Sequence, residues 1–156
     1  MNKLQQELQN RNNIRESDIS QLPYLNACVK ETVRMHPPIP LLPHSAQSTC
    51  QVMNYTVPKD SLVFVNLWAI GHDSMVWEDY ELLPFGAGRR MCPGLPYANK
   101  QVHLILASLI GCFNWSVPNN GDPSELEMNE KYAVPFHKDK PLLLIPLRKT
   151  TAAFSS

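Results

Sequence analysis

Residues Phe85 to Gly94 read Phe-Gly-Ala-Gly-Arg-Arg-Met-Cys-Pro-Gly, and they hold the densest chemistry of the chain. Cys92 follows a glycine-rich turn and two arginines and stands directly before a long helical pattern. An anionic sulfur there would gain from backbone N–H groups and from the positive end of the following helix. Gly86 and Gly88 let the main chain turn tightly and come close to something flat and bulky. Arg90 is a fixed cation suited to pairing with a carboxylate on that bulky partner.

A buried, anion-stabilised sulfur beside a large planar acid describes the proximal side of a haem. Plainer readings stand beside it. A lone cysteine also serves as a small buried hydrophobe or an inert thiol, and a glycine-rich turn before a helix also holds phosphate or ends a strand. One thiolate does not by itself define a metal site. Glu31 and Arg34 sit three apart on one predicted helix face. Their spacing alone describes a surface ion pair worth ~0–1 kcal/mol. The stretch Pro37-Pro38-Ile39-Pro40-Leu41-Leu42-Pro43-His44 contains a Pro-x-x-Pro pattern that could dock as an extended polyproline helix.

These residues need elements to position them. Residues 2–10 form a helix pattern with Leu4 and Leu8 one turn apart, and a second spans Tyr24 to Met35 before the two prolines stop it. Gln51 to Val57 and Ser61 to Ile70 read as two strands. The longest helical pattern runs from Leu95 to Phe113, with Val102, Ile105, Leu106, Leu109 and Ile110 as its apolar face and His103 as an ordinary face residue. Asn114 to Val117 follows, then a polar turn around Asn119 to Pro123 and a strand Leu142 to Leu147. The pattern predicts a mainly α fold with small β-sheets (α+β), one domain over 1–149 and a loose tail over 150–156.

The 156 residues suffice for one domain with a core. Fourteen basic and fourteen acidic side chains cancel, so charge gives no argument for nucleic acid. Cys28, Cys50, Cys92 and Cys112 are widely spaced without a Cys-x-x-Cys pair, which argues against a zinc module. Fourteen prolines, roughly twice average usage, make many connections stiff. No apolar run approaches the ~20 residues that span a bilayer, and the polar N-terminus is not a signal peptide. Trp68, Trp77 and Trp115 read as core or interface residues.

The segment 85–94 resembles the cysteine-ligand signature of the cytochrome P-450 haem-thiolate monooxygenases, Phe-Gly-x-Gly-x-Arg-x-Cys-x-Gly. Phe85, Gly86, Gly88, Arg90, Cys92 and Gly94 all match. Lys-Glu-Thr-Val-Arg-Met-His-Pro-Pro resembles the family's Glu-x-x-Arg helix. The resemblance covers residues 2 to about 149 and implies the C-terminal part of the P-450 fold, incomplete. Leu-Pro-Tyr-Leu, Val-Asn-Leu-Trp-Ala-Ile-Gly and Pro-Phe-Gly-Ala-Gly-Arg-Arg are similar to plant terpenoid and alkaloid hydroxylases, geraniol-hydroxylase-like members among them.

The resemblance implies heme b with its iron axially ligated by Cys92. It implies Arg90 at a propionate, and His44 either there or as a plain surface residue. Phe85 would lie near the sulfur. Ile39, Leu41, Leu42, Val134 and Phe136 would shape a substrate pocket, and Glu31 and Arg34 would belong to a structural network supporting the haem pocket. No residue of the chain is assigned a catalytic proton-transfer role. The implied activity is insertion of one atom of O2 into a small hydrophobic secondary metabolite. Electrons would come from NADPH-cytochrome P-450 reductase, at a surface where relatives present basic residues such as Arg89 and Lys100. The implied location is the endoplasmic reticulum membrane, or the cytosol for a chain without the anchor.

Two departures set up a competing expectation. No Ala/Gly-Gly-x-Asp/Glu-Thr stretch, the family's proton-delivery motif, is present. Only seven residues separate Trp77 from Phe85, where relatives place a longer loop with a Pro-Glu-Arg-Phe motif whose arginine joins Glu31 and Arg34. A truncated, catalytically inactive fragment that acts through exposed apolar surface or its proline-rich stretch is the alternative.

Overall fold

The computed structural model describes residues 2–9, 14–73, 84–133 and 135–149. Two compact units result, one from Met1–Glu31, Pro93–Lys131 and Lys138–Ser156, the other from Thr32–Cys92 and Tyr132–His137.

The first unit is helical at its centre. Helix α1 covers Asn2–Glu7, a 3-10 turn covers Glu16–Gln21, α2 starts at Pro23 and runs to Met35, and α4 covers Leu95–Cys112. Leu4, Leu8, Leu22, Leu25, Ala107 and Ile110 form its buried core, with Ile14 and Leu106 packed on the edge. Proline suits the first turn of α2, where its missing N–H costs nothing. The next two N–H groups, of Tyr24 and Leu25, donate to the Glu7 carboxylate at 2.7 and 2.8 Å. An acidic side chain on α1 therefore satisfies orphan donors and complements the positive end of α2.

Helix α4 matches its expected span almost to the residue, and Ile110 and Leu106 of its expected apolar face pack in and on the core, but the rest of the inward face differs from the expected one. His103, Ala107 and Ile110 are buried, while Val102, Ile105 and Leu109 are 46%, 55% and 41% exposed. The sequence offers two adjacent apolar stripes, and the packed one is centred on Ala107, whose small side chain lets neighbouring side chains approach closely. The far end of α4 is capped from outside the helix. Lys149 Nζ donates to Ile110 O at 2.8 Å, and Trp115 Nε1 donates to Leu109 O at 3.0 Å. A cation on the last carbonyls suits the negative helix end. Strand β5 (Phe113–Ser116) pairs antiparallel with β8 (Ile145–Arg148), Phe113 opposite Arg148 and Ser116 opposite Ile145.

The second unit is built on β1 (Leu41–Ser45) paired antiparallel with β4 (Leu62–Asn66), Leu41 opposite Asn66 and His44 opposite Val63. The strand expected over 51–57 is instead a hairpin, β2 (Cys50–Val52) against β3 (Tyr55–Val57). Met53 takes a left-handed φ of 53° at its tip and reverses the chain. The strand expected from Ser61 to Ile70 ends at Asn66. There the side-chain carbonyl accepts the Ala69 N–H at 2.9 Å and starts α3 (Leu67–His72). Asparagine at a helix start supplies the acceptor that an apolar strand residue cannot. The short strands β6 (Glu130–Lys131) and β7 (His137–Lys138) flank the loop that carries Phe136.

Candidate cofactor site

The cysteine loop folds on its own backbone. Gly86 and Gly88 adopt φ of 73° and 70°, the left-handed region that only glycine enters without strain. The Cys92 N–H donates back to Phe85 O at 2.9 Å, and Met91 N–H to Gly88 O at 3.2 Å, so the segment closes on itself. Phe85 is half-buried, whereas Arg89, Arg90 and, contrary to the expected buried sulfur, Cys92 are exposed, because the loop closes through its own backbone without covering the side chain. Cys50, Cys92 and Cys112 carry free, exposed thiols. A Cβ added at Gly88 would meet nothing within 4 Å, which leaves that face of the loop open to a flat ligand. Gly94, two residues past the cysteine, plays a different part as the N-cap of α4, with Pro96 in the first turn.

One pocket candidate packs against this loop, and another is tied to the proline-rich segment. A Cβ at Gly86 would lie 3.4 Å from Leu42 Cδ2, so β1 passes directly against the glycine turn. The Phe136 N–H donates to Pro38 O at 2.7 Å and ties the 132–137 loop to the proline-rich segment. Tyr132 and Phe136 meet edge to face at 6.2 Å between ring centres. Ile39 and His44 are exposed, and Leu41, Leu42 and Phe136 are half-buried. Phe85, Gly86, Gly88, Arg90 and Cys92 thus share one compact unit with Ile39, Leu41, Leu42, His44 and Phe136. Val134 lies outside the described residues, as does Trp77.

Pro37 and Pro40 are buried and Pro40 O accepts the Trp68 N–H at 3.3 Å. The proline stretch is therefore a packed part of the fold and not a free docking segment.

Arg34 reaches across to α3, where its Nη1 donates to Gly71 O, and its Nη2 lies 2.9 Å from Met35 Sδ. The two backbones approach so closely that a Cβ at Gly71 would stand 2.5 Å from Arg34 O. Glu31 is exposed on α2 and Arg34 half-buried. Lys100, expected among the basic residues of the reductase-facing surface, is ion-paired with Glu16 and stays exposed. Trp68 stacks on His72 with ring centres 4.0 Å apart.

Sequence reasoning missed Gly71 and the burial of His103. The His103 ring Nδ1 bonds to Asn99 O, and its Nε2 is buried without a partner. A single polar residue amid apolar neighbours was the available signal. Among the described residues no cluster of three or more His, Cys, Asp or Glu could hold a metal ion.

This fold and loop belong with a known family. The cytochrome P450 family model matches residues 1–81 and 78–144, so the chain belongs to the cytochrome P450 family. It is similar to cytochrome P450 76C2 of Arabidopsis thaliana, 49% identical over 157 residues, 87% of this chain and 31% of that protein. It is also similar to the probable (S)-N-methylcoclaurine 3'-hydroxylase isozyme 2 of Coptis japonica, at 47% identity, with 86% and 32% covered. Geraniol 8-hydroxylase of Catharanthus roseus is 44% identical, with 85% and 31% covered. A zebra fish cytochrome P450 structure with abiraterone superposes with a TM-score of 0.83 at 28% identity, covering 96% of this chain and 40% of that one. The chain thus holds part of the P450 fold and, as these shares state, spans about a third of the length of its plant relatives.

Proposed function

We propose that this chain provides the haem-ligating region of a plant monooxygenase acting on small hydrophobic secondary metabolites. One observation carries the reading: an exposed Cys92 thiol on a self-closed loop, with open space at Gly88 and Leu42 packed on Gly86. These residues fit heme b. Cys92 would supply the thiolate that holds the iron, Arg90 and His44 would offer two exposed groups suited to propionates, and Gly86 and Gly88 would let the backbone approach the ring. Phe85 shields the sulfur side. When bound through a cysteine thiolate, haem supplies the activation of O2 for inserting one oxygen atom into a C–H bond.

Ile39, Leu41, Leu42, Val134 and Phe136 hold an apolar substrate and exclude water from it. That is the environment in which hydrophobic contacts discriminate by size more than by polarity. Glu31 and Arg34 act as structural supports through α2, with Arg34 linked to Gly71. The partner in this reading is NADPH-cytochrome P-450 reductase at the endoplasmic reticulum membrane. Among the described residues no helix is long and apolar enough to cross a membrane.

A second reading, haem-ligand region without turnover, is favoured by the division of the family match. Its two stretches meet at residues 78–81, inside the segment where the Pro-Glu-Arg-Phe motif is absent. One experiment separates the two. The purified chain is mixed with excess hemin, reduced, and scanned with and without carbon monoxide, then assayed with reductase, NADPH and a monoterpene alcohol. A thiolate-type Soret band lost in Cys92→Ser, with NADPH-dependent product, supports the monooxygenase. The same band without product supports the second reading. No band in either chain sinks both.

A further inference from the structure

The loop after β5 holds reactive chemistry that the cofactor reading does not use. Pro118–Asn120 forms one 3-10 turn in which Asn119 and Asn120 take left-handed φ of 57° and 53°. The turn closes through the Gly121 N–H donating to Pro118 O at 3.1 Å. Asn120 and Gly121 are both exposed, and theirs is the sole Asn-Gly pair in the sequence. Glycine is needed at 121, since a Cβ there would stand 2.9 Å from Val117 Cγ1 and 3.3 Å from Pro118 O. The turn therefore keeps the one residue type that leaves its own amide nitrogen sterically open.

We propose that Asn120 is a site of spontaneous deamidation, gated by the Gly121–Pro118 hydrogen bond. The Gly121 amide nitrogen, having lost its proton to hydroxide, attacks Cγ of the Asn120 side chain. An N–Cγ bond forms, the Cγ–Nδ2 bond breaks, and the departing nitrogen takes up a proton and leaves as ammonia. Water then opens the five-membered imide at one of its two carbonyls, giving aspartate or the β-linked isoaspartate. Nothing is oxidised or reduced, and water is the single co-reactant.

In the closed turn the attacking nitrogen is held by Pro118 O, so reaction draws on molecules in which that bond is open. One such bond slows the reaction in the folded chain by about two- to tenfold relative to the unfolded chain. The product matters locally. Isoaspartate adds a methylene to the main chain inside a turn closed by one hydrogen bond. It also places a carboxylate two residues before Asp122, whose own carboxylate accepts the Ser124 N–H at 2.8 Å. A chain of formal net charge +0 becomes anionic.

The test ages the purified chain at mildly alkaline pH, folded and in urea, and maps peptides by mass spectrometry with separation of isoaspartyl forms. Asn120→Gln is run in parallel, because the longer side chain closes a six-membered ring much more slowly. The expected result is conversion at residue 120 in both samples, slower in the folded chain by the stated factor. Asn54, Asn114 and Asn129 should lag behind it, and the variant should stay unconverted. Conversion in urea without conversion in the folded chain overturns the site. Equal rates in the two samples overturn the gate, and faster reaction at another asparagine overturns the assignment.

Discussion

Leu22, Leu25 and Ala107 are fully buried among the helices of the first unit, whereas Arg89, Arg90, Met91 and Cys92 are all exposed on a loop closed by two main-chain hydrogen bonds. The helical core holds its shape by removing apolar surface from water, which is non-directional and roughly proportional to area. The cysteine loop holds its shape through local backbone preference: two left-handed glycines, the Cys92 N–H on Phe85 O, and Leu42 packed alongside. A region shaped this way can leave its sulfur accessible, because its conformation does not require the side chain to be buried. Mutations in the two regions should therefore separate cleanly into losses of folding and losses of ligand.

The sharpest break is at the sulfur. Cys92→Ser should abolish thiolate-type haem absorption while leaving the thermal unfolding midpoint and circular dichroism of the ligand-free chain unchanged. A fall in the midpoint comparable to that of a core variant would mean the loop is part of the packed core, against the contrast drawn above. Leu25→Ala should do the reverse. Truncating a fully buried leucine costs about 2–5 kcal/mol, a large share of a domain stability of about 5–15 kcal/mol. Urea unfolding of the ligand-free chain measures it, and a loss below about 1 kcal/mol would show a core able to collapse around the gap.

Two glycines sharpen the comparison further, since each answers to a different force. Gly71→Ala places a methyl 2.5 Å from Arg34 O, a backbone atom that cannot swing aside. Overpacking of this kind costs about 1–3 kcal/mol in urea unfolding. Gly88→Ala meets open space, so its penalty is conformational, about 1–2 kcal/mol for forcing an L residue into the left-handed region. The loop is locally closed, so its penalty should show as increased amide exchange at Met91 and Cys92 more than as global unfolding.

How much of this was legible in the sequence follows from the range of the forces involved. Helix α4 was readable because its apolar periodicity is continuous, and the cysteine loop because its residue types are tightly constrained and adjacent. The β2–β3 hairpin was not, since Met53 occupies a left-handed position that turn chemistry normally assigns to glycine, asparagine or aspartate. Asn66 was read as one residue of a strand because its capping role shows only when the chain beyond it turns into a helix. The inward face of α4 is legible only in part, at Leu106 and Ile110, because adjacent stripes are both apolar and only tertiary packing adds His103 and Ala107 in place of Val102, Ile105 and Leu109. The approach of Phe136 to Pro38 and of Arg34 to Gly71 joins segments far apart in the chain, and no local pattern encodes either. Only the family resemblance implies a substrate role for the 132–137 loop.

The smallest expected effect lies where neither burial nor backbone constraint dominates, at the exposed pair Glu127–Lys140. The Lys140 ammonium hydrogen-bonds the Glu127 carboxylate, Asn129 Nδ2 donates to the same carboxylate at 2.6 Å, and the Asp139 N–H donates to Asn129 O at 2.8 Å. The side-chain bond from Lys140, then that from Asn129, holds the Glu127 carboxyl below its ordinary 4.5. The bond to Glu127 in turn raises Lys140 above its ordinary 10.5. A depressed carboxyl contributes order that is fully present above 4.5 and fades as pH falls through the folded value. A raised ammonium contributes order that is full below 10.5 and fades as pH rises through its folded value. The pairing should therefore be flat across neutral pH and lost at both extremes. Because both groups face solvent, the readout is local: the NMR titration of Glu127 should move up toward 4.5 in Lys140→Ala and shrink similarly in high salt. A global midpoint that tracked this titration would mean the loop is coupled to the helical core, and the contrast between packed and self-closed regions would then need redrawing at this third place.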